Sequence, residues 1–508
     1  MSQIIISYNY LNSYINCKDW KKGLNNTSIE NNEQKYGCQI IFPKICLYKL
    51  GKYFFDVTKN NKFECGKTDT KKKLLYYSNS PYINNNTIRF GYPLTNKDPF
   101  FFKDFIQEDH IARGLFFKTC LNNLIDMDNK VLLKSKFKNE IPEMVIDFSN
   151  NTNGQVRINL NFNKTLSILR KKDELKTNPY SENLMILYID SVSRGNSLRQ
   201  LKKSTKFFEK FMAYEGGFHP KYPTEKYHSF QFFKYHAFLG HTANNYPKIF
   251  YGNNRGKNII RITKYLKENG YVTGLASDSC QRDLIRTNHI MKFEEVCDHE
   301  MIICDPNMMH YLTLKKRCLY DKLASEHQYE YGNQFWRKYK GNRKFLAILD
   351  CSGHEATLEA LKYQDDVIYN FLNNLYNDNL LKETTIIFLS DHGVVIPSIY
   401  YFLDFYQLES HLPMLYIMVN DRKNISYDEQ YKYIYRNQQA FITAYDIFNT
   451  MGNIIYGDNY KHIKYKTSLF FDTPKTKKGT SLFMEIDAKL RNPLKYEKIA
   501  LTACVTKK

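Results

Sequence analysis

The sequence predicts an α/β fold, in which a mostly parallel β-sheet is flanked by helices and preceded by a β-rich accessory region. Three observations predict it. Short apolar runs recur along the chain from about residue 179, helix-like stretches separate them, and several of the runs end in an acidic residue. Strands buried on both faces read as continuous apolar runs, and parallel strands need long crossover connections, which are usually helical.

Five apolar runs are predicted as buried strands of this sheet. They read NLMILYID, YVTGLAS, KFLAILD, TTIIFLSD and LPMLYIMV. Helices are predicted between them in LKKSTKFFEKFM, IRITKYLKENG and HEATLEALKYQDDVIYNFLNNLYND. The last segment has an apolar face made by Leu358, Leu361, Val367, Ile368, Phe371 and Leu372. A glycine, Gly270, ends the second segment and is typical of a helix C-terminus.

Residues 1–178 differ from the rest of the chain in their sequence pattern and are predicted to form the β-rich accessory region. Short strand-like runs, CQIIFPKICLYKL, MVIDF and VRINLNF, alternate there with loops rich in Asn and Lys. In the last run, apolar residues alternate with polar ones, which is the pattern of a half-buried strand. The chain is therefore divided into this region and an α/β domain over residues 179–508.

Composition limits the classes of function. The chain has 508 residues, of which 43% are hydrophobic and 25% charged, as in a globular protein. No apolar run approaches the roughly 20 residues of a membrane span, and the first residues show no secretory signal. The net charge of +21 raises the question of nucleic-acid binding. Because Lys, Asn and Tyr are enriched throughout, and no nucleic-acid-binding motif is found, we expect no nucleic-acid partner, although the positive field favours anionic substrates.

The eleven cysteines occur in two clusters with single residues between and after them. None belongs to a CxxC pair, which argues against a zinc ribbon or a redox motif. Clustered cysteines suit disulfides that close loops in an oxidising compartment, and we expect at least two such bonds. Buried thiols of a cytosolic protein are the alternative. The clusters are Cys17, Cys38, Cys46 and Cys65, and Cys280, Cys297, Cys304 and Cys318.

Three predicted strands end in residues that bind metals. One ends at Asp190, another at Asp350, and a third at Asp391, which His392 follows. Ligands of open parallel sheets collect at the carboxyl ends of the strands. One aspartate at a strand end can simply cap the next helix, but three indicate a shared site.

The spacing of these residues favours a metal centre. Asp350 and His354 are four residues apart across a glycine, so that one turn can bring carboxylate and imidazole to the same ion. The SDHG sequence places Asp391 and His392 side by side before another glycine. Carboxylate together with imidazole suits zinc or manganese. Two ions about 4 Å apart would hold the attacking and leaving oxygens of a phosphoryl transfer.

These motifs resemble a known family. LYIDSVSRGN, FLAILDCSGHE and FLSDHG resemble the motifs of the sulfatase-like family called domain of unknown function 229, in the alkaline phosphatase superfamily. GHTANNYPKIFYG is similar to a further motif and places Thr242 at the nucleophile position, with His241 where that family usually has Asn. TAYDIFNTM and KGTSLFMEI extend the resemblance from about residue 180 to 486. The early CQIIFPK and FECGKT are similar to its N-terminal cysteine region.

The resemblance implies an alkaline-phosphatase-like fold, a divalent metal and a covalent mechanism. The cofactor expected is zinc, as one or two ions, with manganese or calcium as alternatives; the metal ligands are Asp190, Thr242, Asp350, His354, Asp391 and His392. Thr242 would attack phosphorus or sulfur and form an intermediate that water hydrolyses. His241 would donate a hydrogen bond to the substrate. His411 would contact the substrate or a second metal, or would be only a polar residue before a strand.

The function expected is therefore metal-dependent hydrolysis or transfer of phosphate or sulfate esters. The sulfatase CxPxR motif is absent, which disfavours a formylglycine mechanism. A catalytically inactive binding protein of the same fold is the alternative, and salt-sensitive nucleic-acid binding is a third hypothesis. The family resemblance implies an extracellular or secretory location. Asp278 follows a strand where the family has an acidic residue, and the run from His228 to His241 is expected to be a packed helix.

Overall fold

The fold was obtained as a computed structural model that describes most of the α/β domain and short parts of the preceding region. The described residues are 39–40, 65, 76–78, 87–89, 124–127, 130–133, 144–147, 155–174, 178–213, 226–238, 240–252, 262–277, 297–302, 318–319, 322–354, 361–394, 406–420, 427–459, 479–487, 491 and 504–505.

The strands of the preceding region are short. They are β1 (Gln39–Ile40), β2 (Tyr76–Ser78), β3 (Thr87–Arg89), β4 (Leu124–Met127), β5 (Lys130–Leu133), β6 (Met144–Asp147) and β7 (Gln155–Ile158). β4 to β7 form a four-stranded antiparallel sheet in which consecutive strands pair. The expected β-rich character is thus observed in the described part. The division at residue 178 stays a prediction, and Ile158, Leu160 and Leu166 pack in the same core as the main sheet.

Twelve later strands are described, and seven of them form one sheet. They are β8 (Asn183–Ile189), β9 (Tyr227–Gln231), β10 (Tyr235–His236), β11 (Val272–Ser277), β12 (His299–Ile302), β13 (Cys318–Leu319), β14 (Lys322–Leu323), β15 (Lys344–Asp350), β16 (Thr384–Leu389), β17 (Leu415–Asn420), β18 (Ile442–Thr443) and β19 (Cys504–Val505). The order across the sheet is β12-β11-β15-β8-β16-β17-β9. The first five strands are parallel, and β17 is antiparallel to both of its neighbours.

Helices cover both faces of this sheet. They are α1 (Lys164–Glu174), α2 (Arg194–Gln200), α3 (Lys202–Lys210), α4 (Thr242–Tyr251), α5 (Ile262–Glu268), α6 (Ala324–Lys338), α7 (Gln364–Asn377), α8 (Tyr406–His411), α9 (Tyr427–Asn437) and α10 (Ala444–Tyr456). The central strand β8 shows why its sequence is apolar throughout. Its alternate side chains Met185, Leu187 and Ile189 enter one core, and Leu184, Ile186 and Tyr188 enter the other.

The α/β fold class with a mostly parallel sheet is confirmed, and each of the five apolar runs contains a strand. The helix expected from His354 onward is observed as a short 3-10 turn at Leu361–Tyr363 followed by α7, while Leu358 lies outside the described residues. Gly270 has the left-handed φ of +82° that ends the helical turn before β11.

The expected helix over the run from His228 to His241 is wrong. His228 lies in β9 and His236 in β10, and only the end of the run leads into a helix, α4. The run is rich in aromatic residues, which favour strands, and β9 extends the sheet by pairing with β17. Among the described residues, no helix has the length and apolar character needed to cross a membrane.

Candidate metal centre

The carboxyl ends of three adjacent strands meet at one edge of the sheet. β8 is the middle strand, with β15 on one side and β16 on the other. In this register Asp350 pairs with Ile189, so that Asp190 follows one residue beyond, and its N–H donates to the Asp350 carbonyl at 2.9 Å. β16 ends at Leu389, opposite Tyr188, and Asp391 follows two residues later. The parallel arrangement thus places the three aspartates at neighbouring positions.

The structure brings four side chains of this edge together. The Thr242 hydroxyl oxygen is 3.2 Å from Asp190 Oδ1 and 3.1 Å from His392 Nε2. His392 Nε2 is also 3.4 Å from Asp190 Oδ1 and 3.6 Å from Asp391 Oδ2. Donor atoms of the two aspartates and the histidine all lie within 4.8 Å of one another, and the four residues are buried. This convergence is what we expected for a common metal site, whereas metal binding itself stays a prediction.

The backbone fixes the orientation of the His392 ring. Its Nδ1 is 2.7 Å from the carbonyl oxygen of Gly393 and 3.3 Å from the hydroxyl of Ser191. A neutral imidazole that donates from Nδ1 to this carbonyl keeps the lone pair of Nε2 directed toward Thr242 and the aspartates. Such a hydrogen bond at the far nitrogen is typical of histidines that bind metals.

Thr242 is the first residue of α4, so its hydroxyl lies at a helix N-terminus. His241 is the N-cap residue and makes no side-chain cap, which leaves its exposed imidazole beside the site. Asn245 stabilises the turn before α4, because its side chain donates to the His241 carbonyl and accepts from the N–H of Phe238. The positive end of the helix dipole favours negative charge at this position.

Asp391 has the environment of a metal ligand. It is fully buried, and its neighbours are His392, whose Nε2 lies 3.6 Å away, and the Tyr188 hydroxyl. Burial raises the pKa of this carboxyl to about 6; both neighbours act to lower the pKa, and the negative charge of Asp190 adds to the rise. Buried carboxylates are costly unless they are paired or coordinate a cation. The donor set of two carboxylates, an imidazole and a hydroxyl therefore fits a divalent ion such as zinc or manganese.

Asp350 and His354 lie at the same edge but outside the tight cluster. Asp350 Oδ1 accepts hydrogen bonds from both the N–H and the hydroxyl of Ser352, so the carboxylate is turned toward its own loop. The half-buried His354 ring lies with its centroid 6.3 Å from that of His392. Their participation in a second metal position stays a prediction.

Two glycines let the ligand loops approach other backbone closely. A Cβ on Gly353 would lie 2.2 Å from the carbonyl oxygen of Asp190, and one on Gly393 would lie 1.8 Å from the carbonyl oxygen of Glu409. Neither position can accept a side chain without a shift of the backbone. The glycines of LDCSGH and SDHG are therefore explained by close contact and not by a positive φ.

The remaining candidates occupy different positions. His411 ends α8; it is half-buried, and its Nδ1 is 2.6 Å from the Ser410 hydroxyl, while its carbonyl accepts from Ala237 N–H at 2.9 Å. Its role with substrate or a second metal stays a prediction. Asp278 lies outside the described residues. Ser193 caps α2, accepting from Asn196 N–H at 2.9 Å, as expected for a capping residue.

Sequence reasoning missed two residues near the centre. Tyr188 is fully buried beneath Asp391, and its pKa is raised by burial and then by the charges of Asp391 and Asp190. Its position two residues before Asp190, on the same face of β8, was the available signal. Glu409 is fully buried beside the loop that carries His392, and nothing in the LESHLP sequence distinguishes it from a surface helix residue.

Most of the cysteines lie outside the described residues. Cys351, outside both clusters, directly follows Asp350. The expectation of at least two disulfides within the two clusters stays a prediction.

The chain was compared with known proteins and with a family model. No curated protein matches the chain. Among solved structures, it is similar to the lipoteichoic acid synthase LtaP from Listeria monocytogenes, with 12% identity over 64% of this chain and 81% of that chain, and a TM-score of 0.36. It is similar to the C-terminal periplasmic domain of EcEptC from Escherichia coli, with 11% identity over 58% and 88%, and a TM-score of 0.38.

A third similar structure is the PsFucS1 sulfatase from Pseudoalteromonas sp., with 12% identity over 66% of this chain and 78% of that chain, and a TM-score of 0.39. The family model described as protein of unknown function (DUF229) matches residues 140–507, which include every residue of the candidate centre. The chain therefore belongs to the DUF229 family.

Proposed function

We propose that this protein is a metal-dependent enzyme that hydrolyses or transfers phosphate or sulfate esters, with Thr242 as the nucleophile. The observation that supports it is the position of the Thr242 hydroxyl, within 3.2 Å of a carboxylate oxygen of Asp190 and 3.1 Å of His392 Nε2. A hydroxyl is a weak nucleophile unless a base or a metal lowers its pKa. The carboxylate and the imidazole that lie beside the hydroxyl are both groups that bind divalent metals.

Each residue of the candidate centre has a proposed role. Asp190, Asp391 and His392 would hold the ion, together with the Thr242 oxygen, and the bound ion would supply Lewis-acid activation and charge stabilisation. The Thr242 oxygen attacks phosphorus or sulfur and its proton passes to solvent, while the bond to the ester oxygen breaks and the leaving alkoxide takes up a proton. Water then breaks the bond between Thr242 and phosphorus or sulfur, which releases the acid and restores the hydroxyl; an acceptor alcohol in place of water gives transfer. The α4 N-terminus favours the anionic group of the substrate. His241, which is exposed, and His411, which is half-buried, are proposed to donate hydrogen bonds to it.

A metal-free triad of Thr, His and Asp is disfavoured by geometry. In such a triad the aspartate binds the histidine nitrogen opposite the nucleophile. Here Nδ1 of His392 faces the Gly393 carbonyl, whereas both aspartates lie on the Nε2 side with Thr242. Three oxygen-bearing side chains around one imidazole nitrogen support a coordination set better than a proton relay.

A second metal position is proposed from Asp350 and His354, because Asp350 ends β15 next to β8 and the His354 ring centroid lies 6.3 Å from that of His392. Zinc is the ion that we propose first, with manganese or calcium as alternatives. The substrate class is an anionic ester, which the net charge of +21 favours. An extracellular or secretory location is proposed from the family resemblance.

The test combines metal analysis with a substrate screen. The purified protein is analysed for bound metals and then assayed with nitrophenyl phosphate, bis(nitrophenyl) phosphate and nitrophenyl sulfate, with and without added zinc or manganese. We expect a stoichiometric metal and turnover of at least one ester. Metal binding without any turnover would favour the alternative, an inactive binding protein of this fold. Absence of metal binding would contradict the proposal.

A further inference from the structure

Residues 409–414, which run from the end of α8 into β17, contact the loop that carries Asp391 and His392. The N–H of Val394 donates to the Glu409 carbonyl at 2.8 Å, and the N–H of Gly393 donates to the Ser410 carbonyl at 2.9 Å. Gly393 lies so close to Glu409 that a Cβ there would be 1.8 Å from its carbonyl oxygen. The position of this loop therefore depends directly on the position of segment 409–414.

The same segment also contacts the loop that follows Asp190. The N–H of Arg194 donates to the Leu412 carbonyl at 2.8 Å, and the N–H of Met414 donates to the Val192 carbonyl at 3.1 Å. In addition, the His411 carbonyl accepts from Ala237, in the stretch that leads to Thr242. Segment 409–414 thus links all three stretches of chain that bring Asp190, Thr242 and His392 together.

One side chain fixes this segment to the helix on its other side. Glu409 is fully buried, and its Oε1 lies 2.5 Å from a guanidinium nitrogen of Arg199 in α2. Its Oε2 accepts a hydrogen bond from the hydroxyl of Ser193, the N-cap residue of the same helix. Both carboxylate oxygens are therefore used, and both bonds join α8 to α2. If the two side chains separated, a buried charge would be left unpaired. The ion pair therefore favours the arrangement in which α8 and α2 stay together.

We propose that Glu409 is a positioning residue for the metal centre: by binding Arg199 and Ser193, it holds segment 409–414 against the two loops that present Asp190 and His392. The inference rests on the proposed function, because it concerns the metal that these loops would bind. Among the described residues, the partners of the Glu409 carboxylate are Arg199 and Ser193, so Glu409 is proposed to act through them and not as a metal ligand. Its effect passes through the backbone of Gly393 and Val394.

The experiment compares zinc affinity, measured by isothermal titration calorimetry, in the wild type and in Glu409→Gln. Glutamine keeps the size of the side chain and removes the charge. We expect the zinc Kd to rise roughly 10–100-fold, as is usual when an outer partner of a metal site is lost. We also expect kcat to fall with KM nearly unchanged. A Kd within twofold of the wild type would overturn the proposal.

A matched control separates positioning from general loss of stability. Asp298 and Arg170 form another largely buried carboxylate–arginine pair, with an oxygen-to-nitrogen distance of 2.8 Å, and Asp298 also accepts from the N–H of Thr273 near the start of β11. Asp298→Asn removes a buried charge of the same kind at the amino ends of the parallel strands, opposite the edge that carries the ligand loops. We expect it to lower Tm but to leave the zinc Kd within twofold. An equal rise of Kd in both variants would show only a structural role for Glu409.

Arg199 provides the second variant, since it is the other partner of the same ion pair. Arg199→Met is expected to weaken zinc binding as Glu409→Gln does, Arg199→Lys to restore part of it, and the double variant to be no weaker than the single ones. Additive effects would contradict a shared role. If the wild type binds no zinc, manganese or calcium, the proposed function fails; if it binds and these variants bind equally well, only the role of Glu409 fails.

Discussion

The hydroxyl of Thr242 faces two side chains of the candidate centre. Thr242 begins α4, and its oxygen faces Asp190 and His392 in a buried site. In a helix, threonine and serine offer the same oxygen, and threonine adds only a methyl group. The chemistry therefore depends on the hydroxyl, and the methyl group can be tested separately.

We expect Thr242→Ala to abolish turnover while fold and metal binding remain nearly intact. The change removes the proposed nucleophile, and a small residual rate from the remaining groups is allowed. Thr242→Ser keeps the oxygen and should retain measurable turnover. The comparison is made on the best ester from the screen, with circular dichroism and zinc titration as checks. Wild-type rates in the alanine variant would show that Thr242 is structural.

Because of Asp391, we expect the stability of the metal-free protein to fall as pH rises, whereas zinc affinity should increase with pH. Burial raises the pKa of Asp391 from 3.8 to about 6, so between these two pH values the folded, metal-free protein holds a proton that the unfolded chain has lost. The resulting loss of stability is absent below the unfolded pKa and complete above the folded one. A metal requires the ionised form, so zinc affinity should fall about tenfold or more between pH 7.5 and pH 5.

Asp391→Asn tests this assignment. Without metal, the variant should be more stable than the wild type at pH 7.5, by up to about 3 kcal/mol, and the difference should vanish near pH 4. It should also lose zinc binding. Chemical denaturation in a chelating buffer at several pH values gives the first quantity. A variant that is less stable than the wild type at pH 7.5 would exclude an uncompensated buried charge at this position.

At the scale of elements, the site depends on loops that approach one another more closely than side chains allow. The turn after β15 contacts the residue after β8 through Gly353, where an added Cβ would lie 2.2 Å from the Asp190 carbonyl oxygen and 2.5 Å from the Val192 side chain. Since the nearest atom belongs to the backbone, it cannot move aside without shifting Asp190 itself.

Gly353→Ala should therefore weaken zinc binding at least tenfold and cost about 1–3 kcal/mol of stability through overpacking. Gly240→Ala is the matched control, because Gly240 belongs to the nucleophile loop yet has no atom within 4 Å of an added Cβ. Its zinc Kd should stay within twofold of the wild type. Equal affinities for both variants would mean that the loop after β15 does not position Asp190.

At the scale of the whole molecule, the candidate centre joins parts of the chain that are distant in sequence. Its residues follow β8, begin α4 and follow β16, so a bound ion would link three elements of the fold. Binding to the folded state alone stabilises a protein by about 2.7 kcal/mol when free ligand is 100 times its Kd.

Addition of zinc should consequently raise Tm by several degrees, and a chelator should reverse the rise. Differential scanning calorimetry with zinc, manganese and calcium in turn identifies the preferred ion. Magnesium, which prefers oxygen ligands and octahedral geometry, serves as the comparison. No shift with any of the first three ions would contradict a metal centre at this edge of the sheet.

The cysteines give a prediction for the whole chain as well. We expect at least two disulfides, and their loss should lower stability by about 2–5 kcal/mol each. Peptide mapping without reduction counts the bonds, and thiol titration of the unreduced protein checks the number. If nearly all eleven cysteines titrate freely, the proposed extracellular or secretory location fails with the prediction.

The sequence by itself determined the α/β class and the position of the site along the chain. Continuous apolar runs can be buried only between two layers, and parallel strands must end at a common edge, so Asp190, Asp350 and Asp391 were expected to lie together. The strands β9 and β10 were missed because aromatic residues fit both a buried helix and a strand, and only pairing with β17 and β18 decides between them.

Only the tertiary structure decided which candidates form the tight cluster and what holds them there. The sequence treats Asp350 and Asp391 alike, but the first is turned to Ser352 and the second faces His392. Likewise, Glu409 has the appearance of a surface residue until its contact with Arg199 is known. Strand patterns depend on burial, which is periodic along the chain, whereas the direction of a side chain depends on partners from distant segments, which no local pattern contains.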